Sequence, residues 1–128
     1  MRKKVFICSP FRGDMEGNAR KAAGYCRAAC EEGYLPVAPH LLFPQFLDEG
    51  IEAERQTGLA MGLELLLICD EVWVFGEATE GMDSEIAFAM EQGKEIRFIY
   101  QVLPELIRLW GLNVQTDAEA KKTSSDRA

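Results

Sequence analysis

The sequence predicts an α/β fold: one three-layer, flavodoxin- or Rossmann-like domain with a parallel sheet and helices on both faces. Three observations predict it. Short runs of β-branched and aromatic residues, Lys4 to Cys8 and Asp70 to Phe75, alternate with segments of helical apolar spacing. Glycines stand where those helices should stop, at Gly33 and Gly93. The 128 residues are enough for one domain with a real core and too few for two. In a small fold of this kind the expected strand order is 2-1-3-4, with a possible fifth element at the edge. Ligands then bind at the carboxyl ends of strands one and three, where the order reverses.

Strand one runs from Lys4 to Cys8, and Ser9-Pro10-Phe11-Arg12-Gly13-Asp14 breaks it with turn chemistry. A helix follows from about Glu16 to Glu32, with a small-residue face of Ala19, Ala22, Ala23, Cys26, Ala29 and Cys30 that permits close approach to a sheet. Tyr34 to Ala38 is a short strand interrupted by Pro36, which suits an edge. The segment Pro39 to Gly50 is apolar and aromatic with prolines at positions 39 and 44, so one regular helix is not expected. It is either a binding loop or a loop packed over the sheet edge. A second helix spans Ile51 to Ile68, with Leu59, Gly62, Leu63, Leu66 and Leu67 near one face. Asp70 opens strand three, and Lys94 to Tyr100 forms strand four. Pro104 to Trp110 reads as a short helix begun by proline, and residues 115–128 as a disordered tail behind a domain of residues 1–114.

Composition narrows the function. A formal charge of −7 without a basic stripe argues against a general nucleic-acid surface or an anionic-membrane binder. Cys8, Cys26, Cys30 and Cys69 form no C-x-x-C pair, and with one histidine they make a poor zinc set, so no metal is expected. They read as reduced, mostly buried residues of a cytoplasmic protein. The basic Met1-Arg2-Lys3-Lys4 precedes an apolar run too short for a signal peptide or a membrane span.

The chemistry concentrates in two loops that this topology brings to one crevice. Gly76 to Ser84 joins strand three to a helix in which Met82, Ile86, Ala89 and Met90 share a face. Glu85 falls beside Met82 and Ala89, at the margin of that face and in the first turn, where the helix dipole favours the ionised form. That suits an anionic nucleophile, although on this stretch alone an ordinary first-turn acid is the simpler account. Arg12 and Gly13, before a helix N-terminus, make an anion seat of guanidinium and exposed N–H groups, to which Ser9 and Thr79 add hydroxyls. His40 reads as a hydrogen-bonded loop residue rather than a general base. Neither G-x-x-x-x-G-K-[ST] nor G-x-G-x-x-G is present, which disfavours a nucleoside triphosphatase or a dinucleotide enzyme.

Val5-Phe6-Ile7-Cys8-Ser9-Pro10-Phe11-Arg12-Gly13, Cys69-Asp70-Glu71-Val72-Trp73-Val74-Phe75 and Gly81-x-x-x-Glu85-Ile86-x-x-Ala89 with Gly93-Lys94 carry a family resemblance in their order and spacing. Over residues 4 to about 100 the chain resembles the nucleoside 2-deoxyribosyltransferase-like superfamily, which includes the 2'-deoxynucleoside 5'-phosphate N-hydrolases. It looks closer still to a small bacterial and phage branch of that group.

The resemblance implies that Glu85 matches the family nucleophile, which attacks the anomeric carbon and is released by water or a second base. Arg12 and Gly13 match the hydrolases' 5'-phosphate loop, and Thr79 stands where those enzymes have a phosphate-binding serine. Ser9, Phe11, His40 and Gly81 complete the expected substrate-binding set. The expected partner is a nucleoside or nucleotide, with no metal or cofactor. The sequence departs from the hydrolases at Gly62, where they carry an aspartate, and Ser9-Pro10 shifts the loop hydroxyl by one position. The alternative function is a non-catalytic nucleotide-binding or regulatory module on the same scaffold. Leu103, Leu106, Ile107, Leu109 and Trp110 are apolar enough to predict a homodimer or larger homo-oligomer, or else a helix covering the domain's own sheet.

Overall fold

A computed structural model describes residues 1–99. The expected helix at Pro104 to Trp110, the tail at 115–128, the possible fifth edge element and the last residue of strand four lie outside the described residues.

The centre of the molecule is β3 (Glu71–Phe75), all five of whose residues are buried. Beside it lies β1 (Lys4–Cys8), and among the described residues β2 (Leu35–Val37) and β4 (Glu95–Ile99) are the outer strands of a parallel sheet ordered β2-β1-β3-β4. This is the expected order. Pro36 sits in edge strand β2, where a missing N–H donor is tolerated. Strand three begins at Glu71 because Asp70 is otherwise engaged: its carboxylate accepts from the Lys4 N–H at 2.8 Å, and its own N–H donates to the Lys4 carbonyl.

The twofold alternation of the strands sorts the core into two layers. On one face Val5, Ile7, Trp73 and Phe75 pack with Tyr25 and Ala29 of helix α1 (Met15–Glu31). Tyr25 stacks on Phe75 with ring centroids 4.1 Å apart. On the other face Phe6, Cys8, Val72 and Val74 meet Leu66 of α3 (Glu52–Leu67) and Met82 and Ala89 of α4 (Glu80–Glu91). Between β2 and α3 the proline-flanked segment folds as a single-turn helix, α2 (Pro39–Leu42), and a 3-10 turn at Phe43–Gln45.

Three helix faces differ from the periodicity reading. On α3, Gly62 and Leu66 are buried, but Leu59 and Leu67 are exposed and Leu65 packs on the core instead. From Leu59 onward that helix is apolar nearly all round, so spacing does not select its buried side. On α1, Cys30 is exposed, and Tyr25 supplies bulk that the small residues lack. On α4, Met90 is 68 % exposed, and Phe88 packs on the core in its place. The last difference matters for the site. At 100° per residue, an arc from Ile86 to Phe88 passes through Met82, Ala89 and then Glu85. The carboxylate therefore lies within the sheltered arc rather than at its margin.

Candidate active site

The register pairs Cys8 with Val74, so the chain leaves β1 and β3 at neighbouring points of the carboxyl edge. Each exit needs a glycine soon afterwards. Gly13 and Gly76 have φ of 98° and 84°, in the left-handed region that other residues enter only with strain. Asn18 of α1 then pins the first loop, donating from Nδ2 to the Phe11 carbonyl at 2.9 Å and more weakly to that of Arg12. The loops face each other across a cavity of about 250 Å³ lined by Ser9, Phe11, Arg12, His40, Thr79, Gly81 and Glu85. Of the expected site residues only Gly13 is absent from this lining; it shapes the turn behind Arg12.

Glu85 is half-buried on the cavity wall, one hydrogen bond from the sheet: Cys8 Sγ donates to its Oε1 at 3.3 Å. Burial pushes the Glu85 carboxyl up to about 7, and the Cys8 hydrogen bond partly opposes this. Burial also raises the Cys8 thiol far above its ordinary value, and the Glu85 charge raises it further, so Cys8 remains a thiol and a donor. These findings reverse the expectation of a dipole-stabilised carboxylate. Thr79 caps α4, its Oγ1 accepting from the Met82 N–H at 3.3 Å, and the helix starts at Glu80. Its first-turn acids are Glu80 and Asp83, and Glu85 lies past them, where dipole stabilisation has fallen away and desolvation dominates.

The anion seat differs from the expected one as well. Asp14 caps α1, accepting from the Gly17 N–H at 3.1 Å with its side chain and from Asn18 N–H with its carbonyl. That carboxylate occupies the helix end where free N–H groups were expected. The positive groups left beside the cavity are the exposed Arg12 guanidinium and the start of α4. There the N–H groups of Glu80 and Gly81, the first two of the helix, have no intrahelical acceptor. Ser9 is 1 % exposed, and its Oγ has no hydrogen-bond partner among the described residues. A buried hydroxyl without a partner on a cavity wall is a donor available to a ligand.

His40 and Phe11 form an aromatic wall, stacked at 4.7 Å and 14°. His40 Nε2 lies 2.9 Å from the Ser9 carbonyl, which accepts, so this nitrogen carries the proton. Burial lowers the His40 pKa, against the opposing effect of that hydrogen bond, and favours the neutral ring. The cavity also contains Glu49, Arg55, Leu59, Glu80 and Met82, which sequence reasoning missed. Glu49 and Arg55 approach to 4.0 Å, and nothing in their spacing of six residues announces a shared wall. Glu64, near the position of the hydrolases' aspartate, is exposed and does not line the cavity. A wider groove of about 680 Å³ adjoins the cavity and shares Phe11, His40 and Glu49 with it. Among the described residues no cluster of three or more His, Cys, Asp or Glu side chains is placed to hold a metal. No described helix is long and apolar enough to cross a membrane.

Comparison with known proteins fits this architecture. The model of a domain of unknown function, DUF7768, matches residues 3–99, and the chain belongs to that family. Among solved structures it is similar to a 2-deoxyribosyltransferase from the psychrotolerant bacterium Bacillus psychrosaccharolyticus. The TM-score is 0.62 and the identity 15 %, over 81 % of this chain and 79 % of that one. A likeness at this identity shows a shared deoxyribosyltransferase-like α/β fold. No curated protein matches the chain in sequence.

Proposed function

We propose that this DUF7768 chain cleaves the N-glycosidic bond of a nucleoside or nucleoside 5'-monophosphate, or transfers its (deoxy)ribosyl group, with Glu85 as nucleophile. The observation that carries the reading is the position of Glu85: a half-buried carboxyl within the buried arc of α4, on the wall of a cavity that the Arg12 loop also lines. In the ionised form a Glu85 oxygen attacks the anomeric carbon. The C–N electron pair leaves with the base, which takes up a proton. Water or a second base then attacks the same carbon and frees the carboxylate. Poor solvation strengthens the attraction of that carboxylate for the positive charge developing on the sugar.

Arg12, the turn at Gly13, Thr79 and the N–H groups at the start of α4 hold the 5'-phosphate. Ser9 Oγ and the backbone at Gly81 meet the sugar and its phosphate, and the Phe11–His40 wall shields one side of the substrate. The residues of this site do the chemistry without a metal or cofactor, in a cytoplasmic homo-oligomer. The fold likeness to a 2-deoxyribosyltransferase supports a nucleoside-type substrate at the level of architecture.

A panel of nucleosides and 5'-monophosphates, deoxy and ribo, incubated with the protein and analysed for free base, tests the reading. Release that disappears in Glu85→Gln supports it. Binding without release favours a second reading, a nucleotide-binding module. The raised Glu85 pKa gives that reading its foothold, since a carboxyl half protonated near neutrality can hydrogen-bond sugar hydroxyls without attacking carbon.

A further inference from the structure

The two oxygens of Glu85 are not equivalent. Oε1 accepts from Cys8 Sγ, whereas Oε2 has no hydrogen-bond partner among the described residues, on a side chain that lines the cavity. We propose that Cys8 is a positioning residue for Glu85: its thiol tethers Oε1 and presents Oε2 to the anomeric carbon. The proposal rests on the reading of Glu85 as nucleophile.

Three features carry it. Cys8 is the last residue of β1, 0 % exposed and paired with β3, so its sulfur is held by the two central strands of the sheet. It packs in the core layer with Val74 and Met82 and does not line the cavity, so it acts on the substrate only through Glu85. Other charged and titratable groups surround the site: Arg12 on the first loop, His40 on α2, Glu49 before α3, Arg55 on α3, and Glu80 and Asp83 on α4. Among the described residues none of them hydrogen-bonds Glu85; Cys8 does. A buried thiol suits the task. It restricts carboxylate rotation, yet as a weak donor it withdraws less negative charge from the nucleophile than a hydroxyl does.

The test compares Cys8→Ala and Cys8→Ser with wild type in the full chain. Glu85 is titrated by NMR of carboxyl-labelled glutamate in the absence of substrate, with Glu85→Gln assigning the signal. Base release is measured in parallel. Losing the donor should raise the Glu85 midpoint by about half to one pH unit in the Ala variant, while the stronger hydroxyl of the Ser variant should lower it. In the Ala variant kcat should fall by about tenfold with KM within about twofold, and Ser should restore part of the loss. A midpoint unmoved in both variants overturns the tether whatever happens to activity. A moved midpoint with unchanged kcat overturns the positioning role. The Ser variant has the same side-chain shape with only a slightly smaller atom and keeps the test decisive if Ala impairs folding. Wild-type protein that releases no base refutes the nucleophile reading and its positioning residue together, and the titration shows separately whether the tether itself exists.

Discussion

Replacing Glu85 with Gln should remove base release and, at the same time, make the protein more stable in alkaline solution. In the fold the Glu85 carboxyl is pushed from an ordinary value of 4.5 up to about 7, chiefly by burial. A carboxyl of this kind holds its proton more tightly in the folded than in the unfolded chain. Its favourable contribution is complete below the unfolded value and is lost as pH rises through the folded one. Each pH unit inside that window costs up to about 1.4 kcal/mol, and titration of the two states gives a loss of about 2.5 kcal/mol between pH 5 and pH 8. Gln has the same shape and no charge to desolvate, so it escapes the loss. Urea unfolding of both proteins at the two pH values measures it: the stability of the Gln variant relative to wild type should grow by about 2.5 kcal/mol.

In the proposed reaction the same pKa should set the activity profile of the wild type. A nucleophile must be ionised, and with a midpoint at about 7 the ionised fraction rises about tenfold from pH 6 to pH 8. An ordinary glutamate would be almost fully ionised throughout and the profile level. A stability difference that does not change with pH would refute the burial argument. Base release that persists in Gln would refute the nucleophile.

Arg12→Ala should weaken a 5'-monophosphate by tenfold or more and its nucleoside much less, because a charge-assisted pair contributes about 1.5–3 kcal/mol; equal weakening by calorimetry would remove Arg12 from the phosphate site. Thr79→Ala should cost about 1 kcal/mol of stability through the lost cap of α4. Thr79→Asp keeps a capping oxygen but should repel the phosphate, so unaltered monophosphate binding in that variant counts against the seat at α4. Leu66→Ala, at a fully buried position, should destabilise by about 2–5 kcal/mol in denaturant unfolding. The homodimer read from Leu103, Leu106, Ile107, Leu109 and Trp110 should appear in sedimentation at micromolar concentration, and a monomer there would reject it.

The strand order was legible because it follows from the alternation of strands and helices together with handedness rules that leave few topologies. The helix faces were less so. Periodicity is a relative measure, and α3 presents Leu59, Leu63, Leu65, Leu66 and Leu67 at angles that several neighbours could bury. Tertiary packing made that choice, and on α4 it preferred Phe88 to Met90. An exchange of one apolar residue for another would be a detail elsewhere. Here it carries Glu85 from the edge of the sheltered arc to its interior.

That rotation also explains why the electrostatics of the site could not be read in advance. Helix dipole and burial push a carboxyl in opposite directions, and the balance depends on two lengths the sequence states only weakly. One is the distance of Glu85 from the helix start. The helix starts at Glu80, where Thr79 supplies the cap, and this leaves Glu85 beyond the first turn in which the dipole acts. The other is its distance from the sheet. Cys8 and Glu85 stand 77 residues apart, and no local pattern joins them. Once β1 and β3 pair in register, however, the end of β1 lies beneath the first half of the helix that follows β3. Any donor at position 8 would then face an acid at position 85. A cysteine that composition assigns to the core thus acquires a polar partner through topology alone. The residue most exposed to that contact is Glu85, on which the proposed reaction depends.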